Sequence, residues 1–367
     1  MSITGDVKKL IQSVDVDVLR GNKRSNMKHL KIVVMGVGAI GGSVGGWIAE
    51  NYDNVYFHDL PDMNKKLRED GLTLYPQGDR YAGRRVDVKV IDDLSEAPDA
   101  DVVVLGVKNY SLAKVAGVIR DKLGDRPVIL AMQNGLENQT ILPQFFSRVV
   151  YCVISYNAWL DEPAVIGYQK KGPLHIGTKY NELQAEMADI ARIFNLGLET
   201  DVTTRIGDAA HCKLIINLTN SLTTLVGMSF KPIEDDDLFQ KLLTNLLYEG
   251  VKIVKAAGYR ESLLGGMPPW SKLRAGATLP QMLTRGMFKR NIKKMVISSM
   301  AQDVIQRGGS SSELESLNGY MLALADRHGV DAPYNRVIYD LCKREFAQDS
   351  FTPMDVRDVW KEVERLL

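Results

Sequence analysis

Lys31-Ile32-Val33-Val34-Met35-Gly36-Val37-Gly38-Ala39-Ile40-Gly41 is the stretch that decides the fold of this chain. The β-branched apolar run predicts a short buried strand, three glycines follow at G-x-G-x-x-G spacing, and Gly42 to Glu50 predicts a helix. In a strand, glycine turn and helix of this kind Gly36 permits the tight turn. Gly38 lets the backbone approach a pyrophosphate, and Gly41 lets helix and strand pack closely. The helix start adds free amides and the positive end of its dipole. Val37, Ala39 and Ile40 complete the loop, so residues 36–41 are the candidate cofactor contacts. A purely structural glycine turn is the competing reading, and the position between a strand and a helix weighs against it.

Working outward, a second strand is expected at Val55 to Phe57, a helix at Met63 to Asp70, and a hairpin pairing Leu72 to Tyr75 with Arg85 to Val90. Asp59 lies 21 residues after Gly38, near the spacing of a carboxylate that binds an adenine ribose and disfavours an added phosphate. An ordinary turn aspartate is the alternative. Asp101 to Val107 and Pro127 to Met132 read as buried parallel strands separated by a helix from Leu112 to Leu123. Strands near 149–154, 173–176 and 198–203, with a helix near 183–194, complete an α/β layer fold.

After about residue 205 the pattern turns helical, with helices expected near 208–226, 237–257, 291–306, 313–328, 333–346 and 354–366. Ser262 to Arg290 reads as irregular or as a short inserted helix. The expected division is an N-terminal extension at 1–29, a dinucleotide-binding domain at 30–204 and a helical substrate-binding and dimerisation domain at 205–367. Met27, just ahead of the first strand, is a second candidate start of translation.

Composition excludes several classes of function. The 46 basic and 45 acidic residues are interspersed and leave a charge of +1, so no global field would gather nucleic acid or an anionic membrane. No run of 18 apolar residues is present, and the first 29 residues lack a secretory apolar stretch, which sets a cytoplasmic expectation. Cys152, Cys212 and Cys342 are far apart and read as buried small hydrophobes. His58, His175, His211 and His328 show no metal-like pairing, so no metal is assigned. The basic cluster of Lys289, Arg290, Lys293 and Lys294 reads as a solvated face that could border a site for anions.

Lys213, Asn217 and Ser221 recur every four residues and predict a polar stripe on a helix otherwise carrying Leu214, Ile215, Leu218, Leu222 and Leu225. Such a stripe needs polar partners, and a cleft that binds a polar ligand would supply them.

Val107-Lys108, Gln133-Asn134-Gly135, Lys213 to Asn217, Ser298-Ser299-Met300 with Gln302-Asp303, and Glu313 to Gly319 together make the chain resemble the ketopantoate reductases from Lys31 onward. The resemblance implies a Rossmann-type domain and an all-helical C-terminal domain like that of 6-phosphogluconate dehydrogenase. It also implies a homodimer and reduction of 2-dehydropantoate or a similar 2-oxo acid by NAD(P)H. Lys213 would be the general acid and Glu313 its supporting carboxylate. Asn217, Ser221 and Ser299 would hold substrate, Asn134 would lie near nicotinamide and substrate, and Lys108 near the nucleotide. Glu313 also completes a capping-box pattern with Ser310, and the two roles are compatible.

The chain departs from the family in four places. Leu60 stands where many members carry an arginine for the NADP phosphate, so Asp59 and Leu60 favour NADH against the family expectation of NADPH. Ser221 replaces a common second asparagine. The segment 265–290 is longer than in compact members, and two residues are added between Asp303 and Glu313. A related reductase for another 2-oxo acid and an inactive dinucleotide sensor are the alternatives.

Overall fold

In a computed structural model the Ile32–Met35 run forms β1, wholly buried at Ile32, Val33 and Val34, and every other element of the main sheet is laid out from it. The structure describes residues 29–263, 266–293, 295–306, 308 and 313–367. The chain divides into two compact units, Met1–Leu30 and Lys31–Leu367, and the fold that follows is that of the second. The expected extension up to Lys28, the Met27 start, Lys294 and the Ser310 cap lie outside the described residues.

The strands are β2 (Val55–His58), β3 (Leu72–Pro76), β4 (Arg84–Val86), β5 (Lys89–Val90), β6 (Val102–Leu105) and β7 (Val128–Ala131). They continue with β8 (Val149–Ile154), β9 (Ala158–Glu162), β10 (Val165–Tyr168), β11 (Leu174–Gly177) and β12 (Thr200–Val202). Eight of them form one sheet in the order β12-β11-β8-β7-β6-β1-β2-β5. All pairings in it are parallel except β8 with β11. Counted along the chain, its first six strands lie as 3-2-1-4-5-6, the doubly wound order whose direction switches between β1 and β6 and opens a crevice there.

Helices α1 (Ala39–Ala49), α2 (Pro61–Asp70), α3 (Asn109–Leu123), the short α4 (Asn138–Ile141) and α5 (Gln184–Phe194) connect the strands. A second sheet, β4-β3-β10-β9, packs on α1. Only the β3–β4 arm of the expected hairpin exists, because Lys89 and Val90 leave it to pair in parallel with β2. The antiparallel β9–β10 pair was not expected from the sequence, and β10 adds in parallel to β3. Glycines on α1 allow this double contact: a Cβ at Gly45 would meet Phe57 of the main sheet, and one at Gly46 would meet Leu72 and Leu74 of the second sheet.

The second half is helical: α6 (Ile206–Asn217), α7 (Thr219–Leu225), α8 (Asp236–Ala256), α9 (Trp270–Thr278), α10 (Gln281–Ile292), α11 (Ser299–Ala301), α12 (Tyr320–Arg327), α13 (Pro333–Phe346) and α14 (Val356–Glu364). The helix expected over 208–226 breaks at Leu218. There the Thr219 hydroxyl donates to the Ile216 carbonyl and the Ser221 hydroxyl to the Leu218 carbonyl, local bonds that compete with the helix ladder. The segment read as irregular or as a short inserted helix over 262–290 contains two helices, α9 and most of α10. Residues 302–306 and 315–319 widen into π-helical turns, so neither 291–306 nor 313–328 is the uniform helix expected.

Leu218, Leu222, Phe239, Leu242, Leu246 and Ile338 are fully or nearly fully buried at the centre of the helical core. The buried Glu249 carboxylate of α8 accepts from the Tyr334 and Asn335 backbone N–H groups at 3.2 and 2.9 Å and from Asn335 Nδ2 at 2.9 Å, closing the start of α13. Burial pushes its carboxyl up despite these bonds. His211 is a packing residue: it stacks on Tyr259 with ring centroids 3.4 Å apart, and its Nδ1 donates to the Gly207 carbonyl at 2.7 Å. Burial pushes it down to about 4, which leaves Nε2 free of a proton to accept from the Tyr320 hydroxyl. No helix among the described residues is long and apolar enough to cross a membrane.

Candidate active site

The glycine turn sits at the crevice where the sheet changes direction. Gly36, with φ at +93°, follows β1, and Gly106 follows β6. A Cβ at Gly41 would fall 1.9 Å from the Gly36 carbonyl oxygen, and one at Gly106 would fall 2.4 Å from the same oxygen. Three glycines are therefore pressed together, which brings the N-terminus of α1 against the sheet edge. Gly38 is different, since a Cβ there would meet nothing within 4 Å, and as the N-cap of α1 it offers no side-chain cap. The first amides of α1 consequently face open space, the environment a pyrophosphate requires.

Asp59 closes the turn from the end of β2. One carboxylate oxygen accepts from the Val37 N–H at 2.5 Å and the other from the Leu60 N–H at 2.7 Å, while its own N–H donates to Asn64 Oδ1 at 2.9 Å. The carboxylate remains partly exposed, with lone pairs left for ribose hydroxyls. Leu60 beside it is 75% exposed. These residues fit a dinucleotide: open helix amides, a backbone that admits close approach, and a partly exposed carboxylate at the end of β2.

A second cleft opens where β7 and β8 meet α6. Asn134, Asn138, Tyr151, Cys152, Lys213 and Asn217 line it, around a cavity of about 20 Å³, room for about one water molecule. Burial pushes the Lys213 ammonium down to about 8, although Cys152 and Glu313 act in the opposite direction. No hydrogen bond among the described residues engages the side chain of Lys213 or of Asn217, so both are available to a ligand. Glu313 is 7% exposed, and Asn134 Nδ2 approaches its Oε2 at 3.5 Å. The Asn134 turn is held by Asn109 Nδ2, which donates to the Asn134 carbonyl at 2.7 Å, and by Gln133 Nε2, which donates to the Leu105 carbonyl at 2.9 Å. Gly135, at φ +81°, lets this turn lie against the Ser316 carbonyl, where a Cβ would come within 2.8 Å.

Lys108, at the start of α3, donates to Asp303 at 2.9 Å. Burial alone would lower its pKa, and the charges of Glu313 and Asp303 outweigh that and hold it above the ordinary lysine value. Glu313 thus acts electrostatically on both Lys108 and Lys213. Ser299 begins α11 partly buried, next to Ser298, whose hydroxyl caps that turn by accepting from the Ala301 N–H at 3.1 Å. Ser221 departs from the expected stripe. Past the break at Leu218 it lies in the core, where it is fully buried and accepts from Asn318 Nδ2 at 2.9 Å. Asp303, Gln133 and Cys152 were not singled out individually as site residues from the sequence. Gly106 carried a readable signal, since it ends an apolar strand as Gly36 does.

The profile described as ketopantoate reductase PanE/ApbA matches residues 32–181, and the one for the PanE/ApbA C-terminal domain matches residues 205–345. The chain belongs to the ketopantoate reductase family. A 2-dehydropantoate 2-reductase from Halobacterium salinarum is 28% identical over 321 residues, covering 86% of this chain and 98% of that protein. Among solved structures, a 2-dehydropantoate 2-reductase from Geobacter metallireducens superposes with a TM-score of 0.71 at 19% identity, covering 86% of this chain and 99% of that one. D-mandelate dehydrogenase, solved with NADH and anilino(oxo)acetate, superposes with a TM-score of 0.69 at 17% identity, covering 91% of this chain and 100% of that one. These two likenesses show the fold. Membership in the ketopantoate reductase family makes the chain an NAD(P)-dependent oxidoreductase with a nicotinamide dinucleotide as cofactor.

Proposed function

We propose that the chain reduces 2-dehydropantoate to pantoate with NADH, and that Lys213 is the general acid. The observation that carries this reading is Lys213 itself, a partly buried lysine lowered to about 8, without a hydrogen-bond partner among the described residues, in a cleft shared with Asn134 and Asn217. A dinucleotide held by its pyrophosphate at the glycine turn would supply a hydride to the ketone carbon. The Lys213 ammonium donates a proton to the ketone oxygen, so one C=O becomes CH–OH and a cation meets the negative charge developing on oxygen. Glu313 keeps that lysine charged near neutral pH against the pull of burial. Asn217 orients the substrate hydroxyl, Ser299 the carboxylate, and Asn134 the reacting face. Lys108, paired with Asp303, lies near the nucleotide in this reading. The preference for NADH rests on Asp59, which repels a ribose phosphate, and on Leu60, which offers no cation to bind one.

The reading divides the chain into a dinucleotide-binding domain up to residue 204 and a helical domain from 205 that holds substrate and forms a homodimer. Sedimentation would test the dimer. The deciding experiment is initial-rate oxidation of NADH and NADPH with ketopantoate, beside a Lys213→Ala variant whose cofactor binding is measured separately. Lysine-dependent turnover supports the reading; cofactor binding without turnover on ketopantoate overturns it.

A second reading, a reductase for a different 2-oxo acid, is favoured by Ser221. With that hydroxyl turned into the core, the cleft has one polar group fewer for a hydroxylated substrate than the sequence stripe promised. A panel of 2-oxo acids with and without a distal hydroxyl separates the two readings.

A further inference from the structure

The segment expected to be longer than in compact family members places α9 against the C-terminal half of α8, and the groove between them is separate from the cleft around Lys213. It has a volume of about 620 Å³, and the two linings share no residue. Tyr248, Lys252 and Lys255 face it from α8 at positions i, i+4 and i+7. Trp270, Arg274 and Thr278 face it from α9 at i, i+4 and i+8. Two helical stripes, each with an aromatic residue at one end and positive charge beyond it, therefore line one groove.

No carboxylate lines this groove, and none of Lys252, Lys255 and Arg274 is in an ion pair among the described residues. Lys252 instead lies 5.7 Å from the centroid of the Tyr248 ring. Glu261 comes near the start of α9, but its carboxylate accepts from the Trp270 backbone N–H and does not line the groove. On the neighbouring α10 the cations meet carboxylates from the start of α8: Lys289 meets Asp236 at 3.0 Å, and Arg285 meets Asp237. Three exposed cations around one space form a patch of positive potential that an anion would neutralise, and only Lys252 feels a nearby carboxylate, that of the buried Glu249. Aromatic walls beside the cations add a surface on which a flat ring can stack.

We propose that this groove binds a small polyanion carried on an aromatic body, the chemistry of a nucleoside polyphosphate, separately from the dinucleotide turn. Lys252, Lys255 and Arg274 bind the phosphates, and Trp270 and Tyr248 hold the ring. The test uses the full chain saturated with NADH, so that the glycine turn is filled, and titrates ATP or inorganic triphosphate by calorimetry and tryptophan fluorescence. ATP is expected to bind one site per chain, several-fold more tightly than triphosphate, with affinity falling as salt rises. A Lys252→Ala/Arg274→Ala double variant is expected to weaken ATP at least tenfold while NADH affinity stays unchanged. Trp270→Phe is expected to remove most of the fluorescence response while calorimetry still detects ATP.

Equal ATP affinity in wild type and double variant, or no ATP binding in the presence of NADH, overturns the proposal. Triphosphate binding as tightly as ATP overturns the aromatic part of it. Light scattering closes the remaining route: ATP binding that vanishes in a dimer and returns only in the monomer means that a second copy of the chain occupies the groove, which also overturns it.

Discussion

The Asp59 carboxylate accepts a hydrogen bond from the Val37 N–H at 2.5 Å, so the residue expected to hold the ribose also holds the glycine turn. Asp59→Ala should therefore weaken NADH by roughly ten- to a hundredfold, the loss of about 1–3 kcal/mol when a charged hydrogen-bond acceptor is removed. Leu60→Arg should move preference towards NADPH with little change in protein stability, because Leu60 is exposed. Dissociation constants for both cofactors in the two variants check this. Unchanged NADH affinity in Asp59→Ala would remove the ribose role.

Lys213 titrates in a useful range. Its folded value, about 8, is below the unfolded lysine value, so the charged acid is present below about 8 and lost above it. The rate of ketone reduction should fall as pH rises through about 8, and Lys213→Ala should abolish that limb together with roughly a hundred- to ten-thousandfold of kcat/KM. The sign for stability is opposite. Between about 8 and the unfolded value the unfolded chain binds the extra proton, so this residue's contribution to folding stability rises with pH across that window. Denaturant melts of wild type and Lys213→Met at pH 7 and 10 should show the difference between the two proteins narrowing at high pH.

Gly38 and Gly41 make a paired test. A methyl at Gly41 collides with the Gly36 carbonyl, whereas a methyl at Gly38 meets nothing in the protein and occupies the space where phosphate would come. Gly38→Ala should melt within about 1 kcal/mol of wild type yet bind cofactor at least tenfold more weakly. Gly41→Ala should lose stability as well as binding. Thermal melts beside cofactor titrations separate the two.

Glu249→Ala should destabilise the helical half by about 1–3 kcal/mol, because it strips the start of α13 of its acceptor and leaves Tyr334 and Asn335 N–H groups buried without one. The residue lies outside the cleft, so kcat/KM of the folded variant should stay within a factor of two. A large loss of activity in a stably folded Glu249→Ala would contradict a purely structural role.

The sequence carried the first half of the fold because its signals are local. The strand and glycine turn around Gly36 need only short-range geometry, and the buried parallel strands are continuous apolar runs. The second sheet was illegible, since β10 reaches β3 across some ninety residues of chain and neither strand alternates cleanly. The polar stripe on 213–221 was legible as far as Asn217. Beyond it the helix breaks at Leu218, beside hydroxyls of Thr219 and Ser221 that bond to nearby carbonyls, a competition between side chain and backbone that spacing does not reveal. Asp303 belongs with Lys108 only because α3 and the π-helical turn at 302–306 converge, and the 195 positions between them hide that.

The three cysteines of the chain are all buried, and burial pushes their thiols up, Cys152 to about 12. At neutral pH a thiol-reactive dye therefore meets a nearly silent background. A single cysteine placed at exposed Leu60 or Met282 would take the label without first stripping the native ones, so the chain is ready for spectroscopic tagging beside the cofactor turn or on the inserted helices.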